Sequence, residues 1–325
     1  TGSLDGVVPE AWTGLLTEYG GGEANGPGLP IEVAMDRLQL LSSGSAKQRN
    51  KDSRSSELPH LDVHVKRLKF DDSVLGDLRF RAEPGQRRVK FINIGLSSKT
   101  FQIVGQGYWQ RSTDRTRFDL DLKAPDMGRM MDDLDFVSVI KEGKTRAEGR
   151  LEWEGSPAEF SLSRLDGTLH VDIREGNIED VDPGGGRLLG LFSLSALPKR
   201  LRLDFSDLFR KGLDFERIDG DLRLDAGDIL TENLAVDSAS AQVVMSGRTG
   251  LVERDYDMLV SVVPNVSDSL TVAGGLALGP QAGAIIWVLQ KIFHSQIDNA
   301  TMFQYVVKGP WSAPTMERLQ SANAG

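Results

Sequence analysis

The segment Leu61–Phe70, LDVHVKRLKF, indicates the fold class, because apolar and polar side chains alternate over its first five residues. Leu61, Val63 and Val65 fall on one side of an extended chain, and the polar residues between them fall on the other. Strict alternation with one polar side is typical of a half-buried antiparallel strand. The segment therefore predicts a strand with one face against a core and one face in water.

The same alternation recurs along most of the chain, and the recurrences are separated by Gly, Asp, Asn and Pro, which favour turns. Together they predict a mainly β fold: an elongated, curled antiparallel sheet, shaped as a groove or trough, with a few short helices. The further alternating segments are Leu78–Phe80, Val89–Phe91, Phe101–Ile103, Phe118–Leu122, Leu151–Trp153, Phe160–Leu162, Leu169–Ile173, Leu201–Phe205, Leu222–Leu224, Ala241–Met245, Met258–Val262 and Phe303–Val307.

Two segments break this alternation and have the pattern of helices. In Asp126–Ile140 the methionines and Leu134 fall near helical spacing, which predicts one short helix near residues 127–140. In Leu188–Pro198 an apolar run ends at a proline, which predicts a second helix that stops there.

The longest uncharged run is Leu270–Phe293, LTVAGGLALGPQAGAIIWVLQKIF. Its first half is rich in Gly and Ala, and its second half has bulky apolar residues at helical spacing, which predicts a short amphipathic helix. A membrane-spanning helix needs roughly 20 apolar residues without such breakers. Two interpretations remain open: a helix that lies in a membrane interface, or a cap on the β core. The candidate membrane-contacting residues are Ile285, Ile286, Trp287, Leu289 and Phe293.

Composition narrows the classes of function. The 325 residues carry a net charge of -9, which argues against nucleic acid as a partner, because phosphate backbones bind clustered basic surfaces. The absence of Cys excludes disulfides and thiolate metal sites. We divide the chain into a poorly patterned segment 1–57 with a flexible loop at 42–57, a β-groove segment 58–150 and a C-terminal β domain 151–325. We expect the chain to be a fragment of a longer protein.

A catalytic constellation is not visible in the sequence. His60 and His64 share one face of a predicted strand, but they lie roughly 13 Å apart there, too far to hold one metal ion. The glycines before Arg187 lack the hydroxyl residue that a phosphate-binding loop of a nucleotide hydrolase requires. We therefore expect a protein that is not an enzyme, with no catalytic residue, cofactor or metal.

The apolar side of the predicted sheet is the candidate binding surface. Such a face either packs against covering elements as a closed core or holds acyl chains, and the residues themselves leave both interpretations open. The candidate groove-lining residues are Leu169, Val171, Ile173, Leu201, Leu203, Phe205, Leu222, Leu224, Val243 and Met245.

Several stretches resemble the C-terminal region of the AsmA-like family, in the branch named YhdP. They are GGGRLLGLFSLSALPKRL at residues 184–201, LDFSDLF at 203–209, TENL at 231–234, and YVVKGPWSAP at 305–314. The resemblance is specific from about Leu151 to Arg318 and weaker from Leu58 to Arg150.

This resemblance implies a bridge-like lipid transfer protein of the periplasm. Members of the family are long β-grooves, anchored in the inner membrane by an N-terminal helix that this chain lacks, and they carry phospholipid to the outer membrane. The implied partners are phospholipid acyl chains, the inner leaflet of the outer membrane and envelope proteins. This chain is then the end that faces the outer membrane, with segment 270–293 in contact with it. The alternative is a non-transporting envelope tether or scaffold with a closed β core.

Overall fold

The computed structural model describes residues 30–40, 59–70, 73–134, 136–137, 140–178, 188–189, 212–264 and 302–319. Most of these residues lie in strands, which confirms the prediction of a mainly β chain. The strands are β1 (Ile31–Met35), β2 (Leu38–Leu40), β3 (Leu61–Phe70), β4 (Ser73–Pro84), β5 (Arg88–Ser97), β6 (Gln102–Gln110), β7 (Arg115–Ala124), β8 (Phe136–Val137), β9 (Ile140–Glu154), β10 (Asp166–Ile178), β11 (Leu188–Leu189), β12 (Leu213–Asp225), β13 (Asp228–Asp237), β14 (Ala241–Gly250), β15 (Asp255–Pro264), β16 (Phe303–Pro310) and β17 (Thr315–Arg318). The helices are α1 (Met127–Asp133) and the 3₁₀ turns η1 (Pro157–Glu159) and η2 (Leu162–Arg164).

Fifteen of the described strands form one sheet in the order β1-β3-β4-β5-β6-β7-β9-β10-β12-β13-β14-β15-β16-β17, with β2 also paired to β3. Consecutive pairs from β3 to β7 and from β12 to β17 are antiparallel. β1 and β2 pair with β3 in parallel. The order follows the chain because short turns join neighbouring antiparallel strands.

The chain divides into two compact units, residues 1–123 with 148–167 and residues 124–147 with 168–325. The first unit contains the described strands β1 to β7 and the second half of β9. The second unit contains α1, the first half of β9, and the described strands from β10 onward.

In the first unit the predicted alternation becomes a row of buried side chains. Val63 and Val65 are 3% and 0% exposed and lie opposite Phe80 and Leu78 of β4. The strand pairing shifts register at three of the junctions, for example between Phe91 and Ile94. Such bulges bend strands and increase their twist.

In the second unit one cross-strand row forms the centre of the core. Ile218, Val236, Val243 and Val262 lie side by side on β12 to β15 and are between 0% and 2% exposed. Burying branched aliphatic side chains of this kind is worth about 1.5–3 kcal/mol each, so such a row stabilises the sheet strongly.

Three local predictions are wrong. The helix predicted near residues 127–140 is present as α1, but its predicted end is wrong: it ends at Asp133, because the run 137–140 is rich in β-branched residues, which favour strands. The segment from Phe160 to Leu162 is not a strand but leads into the turn η2. Leu188 and Leu189 form strand β11 with β8 rather than the start of a helix.

Several predicted segments lie outside the described residues. They are the flexible loop 42–57, the rest of the predicted helix 188–198, the predicted strand 201–205 and the amphipathic helix within 270–293.

Candidate functional site

The structure describes seven of the ten predicted groove-lining side chains, and all of these lie in the second unit. Leu169 is half-buried. The other six are between 1% and 8% exposed: Val171, Ile173, Leu222, Leu224, Val243 and Met245. Leu201, Leu203 and Phe205 lie outside the described residues.

The cross-strand register places the described members of β12 and β14 on one face, as predicted. Leu222 lies opposite Thr231, which lies opposite Gly247, two residues along β14 from Met245. Side chains two residues apart in a strand point to the same side. On β10, Val171 and Ile173 alternate with exposed His170 and Arg174.

The opposite face of these strands carries a network of charges. Arg217 donates to Asp172 through Nε at 2.9 Å and to Asp219 through Nη2 at 2.6 Å. A hydrogen bond from Arg174, and a second from Arg217, lower the pKa of Asp172. The network satisfies the charged groups on a solvated face, so β10 and β12 are apolar on one side and polar on the other.

Part of the second unit is covered on both faces. Ala235, Val244 and Ser261 lie side by side on the face opposite to Val236 and Val243, and they are only 1% to 2% exposed. The predicted lining of the second unit is thus packed as a core in this structure. Its role in lipid binding stays a prediction.

The first unit carries a second apolar face, which the sequence reasoning did not select. We call it the aromatic face. Register places its members on one side of β4 to β7, and all of them are half-buried rather than buried. They are Leu78, Phe80, Phe91, Ile94, Ile103, Phe118, Leu120 and Leu122. Ala82, Val89 and Leu96 lie on the same face and are buried, so its members are the partly accessible side chains between buried ones. Apolar surface that stays accessible to solvent is typical of a binding surface.

A row of ring contacts runs across the aromatic face. The ring centroids of Phe80 and Phe91 lie 5.9 Å apart, those of Phe91 and Phe118 lie 5.6 Å apart, and those of Phe118 and Trp153 lie 5.6 Å apart. These separations are in the range that favours aromatic pairs. The row therefore joins β4, β5, β7 and β9 into one continuous apolar surface.

Strand β6 lies beneath this row and contributes glycine where the rings cross it. A Cβ atom added to Gly107 would lie 2.3 Å from Cδ1 of Phe118, and one added to Gly105 would lie 2.7 Å from Cδ2 of Leu120. Glycine inside a strand marks a close approach of this kind. The Gly-x-Gly spacing in β6 is the sequence signal that would have identified the aromatic face.

The segment Gly155–Leu165, which we call the strap, carries Phe160 to the far side of the first unit. The Phe160 ring lies 5.3 Å from that of Trp153 on β9 and 6.1 Å from that of Phe70 on β3. The strap is anchored by Thr116, whose Oγ1 donates to the carbonyl of Gly155 at 2.7 Å.

These contacts require the first unit to be curled. Five strand spacings of roughly 4.8 Å separate β3 from β9, about 24 Å in a flat sheet, whereas Phe160 touches side chains of both strands. The sheet of the first unit is therefore concave toward the aromatic face. The prediction of a curled sheet with one apolar side is confirmed.

The predicted membrane-contacting residues, Ile285, Ile286, Trp287, Leu289 and Phe293, all lie outside the described residues. Within the described ranges, no helix is long and apolar enough to cross a membrane. Among the same residues, no group of three or more His, Asp or Glu side chains is arranged to hold a metal ion.

Comparison with known proteins gives two matches. A family model described as YhdP protein matches residues 21–316. A curated protein of Escherichia coli (strain K12), described as an intermembrane phospholipid transporter YhdP, is 26% identical over 221 residues. That alignment covers 67% of this chain but only 18% of the relative. No solved structure matches the chain.

Proposed function

Because this chain belongs to the YhdP family, whose model matches residues 21–316, we propose that it holds phospholipid on the apolar side of its sheet during transfer through the envelope. The curled, half-buried aromatic face of the first unit is the observation that carries the proposal. The name of the E. coli relative, an intermembrane phospholipid transporter, supports the class of ligand.

A concave apolar face is sufficient for this function. Each CH₂ group of an acyl chain that leaves water for such a face contributes roughly 0.8 kcal/mol. The face needs no catalytic group, and we propose that the chain performs no chemistry on the lipid. The half-buried rings of Phe80, Phe91 and Phe118 offer the acyl chains an apolar surface that already faces solvent.

We propose that the predicted lining of the second unit, from Leu169 on β10 to Met245 on β14, also binds acyl chains. Six of its seven described side chains are buried, so lipid reaches them only when the residues that cover them move. Leu201, Leu203 and Phe205 belong to the same proposed lining.

The direction and the endpoint are further parts of the proposal. By resemblance to the family, the full protein is anchored in the inner membrane and lies in the periplasm, and this chain faces the outer membrane. Segment 270–293 then contacts the inner leaflet of that membrane through Ile285, Ile286, Trp287, Leu289 and Phe293. A short apolar helix with Trp on its flank suits such an interface.

A second candidate function is a tether or scaffold that does not transport lipid. The packed state of the second unit favours it, because Ile218, Val243 and Val262 form an ordinary closed core. A tether would use the same strands but would need no open apolar face in the first unit.

Substitutions at two neighbouring residues of β6 distinguish lipid transfer from a tether, because the two side chains point to opposite sides of the sheet. Ile103 lies on the aromatic face between Leu96 and Leu122, whereas Val104 lies on the other face and is 53% exposed. We expect Ile103→Asp to weaken binding of a fluorescent phospholipid at least tenfold, because a carboxylate on the face opposes acyl contact. Val104→Asp should bind like the parent.

Circular dichroism and the urea midpoint establish that each variant is folded. If Ile103→Asp does not fold, Leu120→Asn replaces it as the test variant, because it introduces an uncharged polar group on the same face. Equal phospholipid affinity of the folded face variants and Val104→Asp would refute the aromatic face as the binding surface and would favour the tether.

A further inference from the structure

Two turns meet at one end of the aromatic face. The turn between β4 and β5 contains Arg87, and the turn between β6 and β7 begins at Arg111. The backbone N–H of Arg111 donates to the carbonyl of Arg87 at 3.0 Å. This bond holds two arginines side by side at the rim of the concave first unit.

Trp109 connects this rim to the aromatic face. It lies opposite Val89 on β5 and Thr116 on β7. On the same face, the next row of cross-strand neighbours is Phe91, Gly107 and Phe118. Its indole Nε1 donates to Asp114 Oδ1 at 2.9 Å, which fixes the ring. The guanidinium carbon of Arg111 lies 6.0 Å from the centre of this ring, so the cation is placed where the apolar surface ends.

The two arginines of this rim have no ion-pair partner within the described part of the chain, although the chain as a whole is acidic. Asp114, the carboxylate of the same turn as Arg111, is bonded to Trp109. By contrast, Arg115 on the neighbouring strand pairs with Asp166 at 3.2 Å.

Arg111 also has an unmet hydrogen bond. Its Nη2 is buried, yet it has no partner among the described residues. A buried N–H donor of a charged group without a partner is costly, and an anion satisfies it once the groups that cover Nη2 move aside.

From these contacts we propose that Arg87 and Arg111 bind the phosphate of a phospholipid headgroup. The inference rests on the proposed function, because the acyl chains of the same lipid then lie on the aromatic face. Guanidinium groups match phosphate oxygens with two parallel hydrogen bonds, which a Lys ammonium cannot do. Four residues of strand separate Arg111 from Gly107, roughly 13 Å, so the headgroup stays at the wet rim while the tails cover Phe118.

The test compares two soluble lipids with identical tails, dihexanoyl phosphatidic acid and dihexanoylglycerol, which differ in the phosphate. We expect the double variant Arg87→Gln with Arg111→Gln to bind phosphatidic acid about tenfold more weakly, the loss of a charge-assisted hydrogen bond. Its affinity for dihexanoylglycerol should equal that of the parent. Arg146→Gln removes one positive charge from an exposed position on β9 and serves as the control for the single variants Arg87→Gln and Arg111→Gln.

Each outcome separates the subsite from the proposed function. If the parent binds neither lipid, the proposed function itself is wrong. If both lipids bind and the double variant holds phosphatidic acid as tightly as the parent does, the headgroup subsite is wrong.

Inorganic phosphate is the third ligand. If it binds the parent as tightly as phosphatidic acid does and the double variant loses it, the site is one for free phosphate and the headgroup assignment is overturned. Arg111→Lys keeps the positive charge but cannot donate two parallel hydrogen bonds, so it should give an intermediate affinity for phosphatidic acid. It also provides a second variant if the double variant does not fold.

Discussion

The packing of Phe118 across β6 makes a sharp prediction about two glycines. A Cβ atom at Gly107 would lie 2.3 Å from Cδ1 of Phe118 and 2.4 Å from the carbonyl oxygen of Arg117. A Cβ atom at Gly95, on the neighbouring strand β5, would meet no described heavy atom within 4 Å. Neither glycine has a positive φ angle, so alanine fits the backbone of both.

The change in the free energy of unfolding should therefore have opposite signs in the two alanine variants. Alanine restricts the unfolded chain, which raises the free energy of unfolding by about 0.4–1 kcal/mol where the native site has room. We expect this gain for Gly95→Ala. For Gly107→Ala we expect a net loss of about 1–3 kcal/mol, the usual cost of overpacking, because a backbone oxygen cannot rotate away as a side chain can.

Urea unfolding followed by circular dichroism and by tryptophan fluorescence measures the difference. Trp153 contacts Phe118, so its emission also reports displacement of that ring. Equal unfolding free energies for the two variants, with unchanged emission for Gly107→Ala, would show that Phe118 does not lie over β6 and would remove the basis of the continuous aromatic row.

Three further predictions concern charge, burial and membrane contact. A hydrogen bond from Arg174 lowers the pKa of Asp172; Asp172→Asn should thus lower the urea midpoint near neutral pH, and the deficit should vanish as the pH falls through that lowered pKa. Burial raises the pKa of Tyr256 to about 12. The free energy of unfolding should therefore fall as the pH rises above about 10, the pKa of an unfolded tyrosine. Tyr256→Phe should reduce this loss, measured as urea midpoints at high pH. Replacing Ile286 and Leu289 by Asp should abolish co-sedimentation with liposomes while circular dichroism is unchanged; undiminished binding would count against membrane contact by segment 270–293.

The existence of most strands could be predicted from the sequence because the period of two is local. Leu61, Val63 and Val65 alternate with polar residues whatever they later pack against, and the structure places all three in the core. The end of α1 could not be predicted in this way, because the helical spacing of the methionines overlaps with the β-branched run that follows it.

Phe160 shows a different limit. Its segment alternates like a strand, but its position is set by contacts with Phe70 and Trp153, and Phe70 is far away in the sequence. A contact between distant residues leaves no local period, so the alternation of Phe160 and Leu162 by itself predicts a strand.

The candidate site was only partly predictable for the same reason. Leu222 and Met245 share one face of the sheet, as their alternation predicts, but whether that face is open depends on what covers it. The half-burial of Phe91 and Ile103 depends on the curl of the first unit, to which bulges such as that between Phe91 and Ile94 contribute. Neither property can be read from the order of apolar and polar residues.

The most direct test of the central claim, that this chain holds phospholipid, is native mass spectrometry of the gently purified protein, with lipid extraction from the same sample. We expect phospholipid to be bound to the parent and to Val104→Asp and to be lost from folded Ile103→Asp. A clean protein mass for a parent that unfolds cooperatively would contradict the account, and the aromatic face would then be part of a tether rather than a path for lipid.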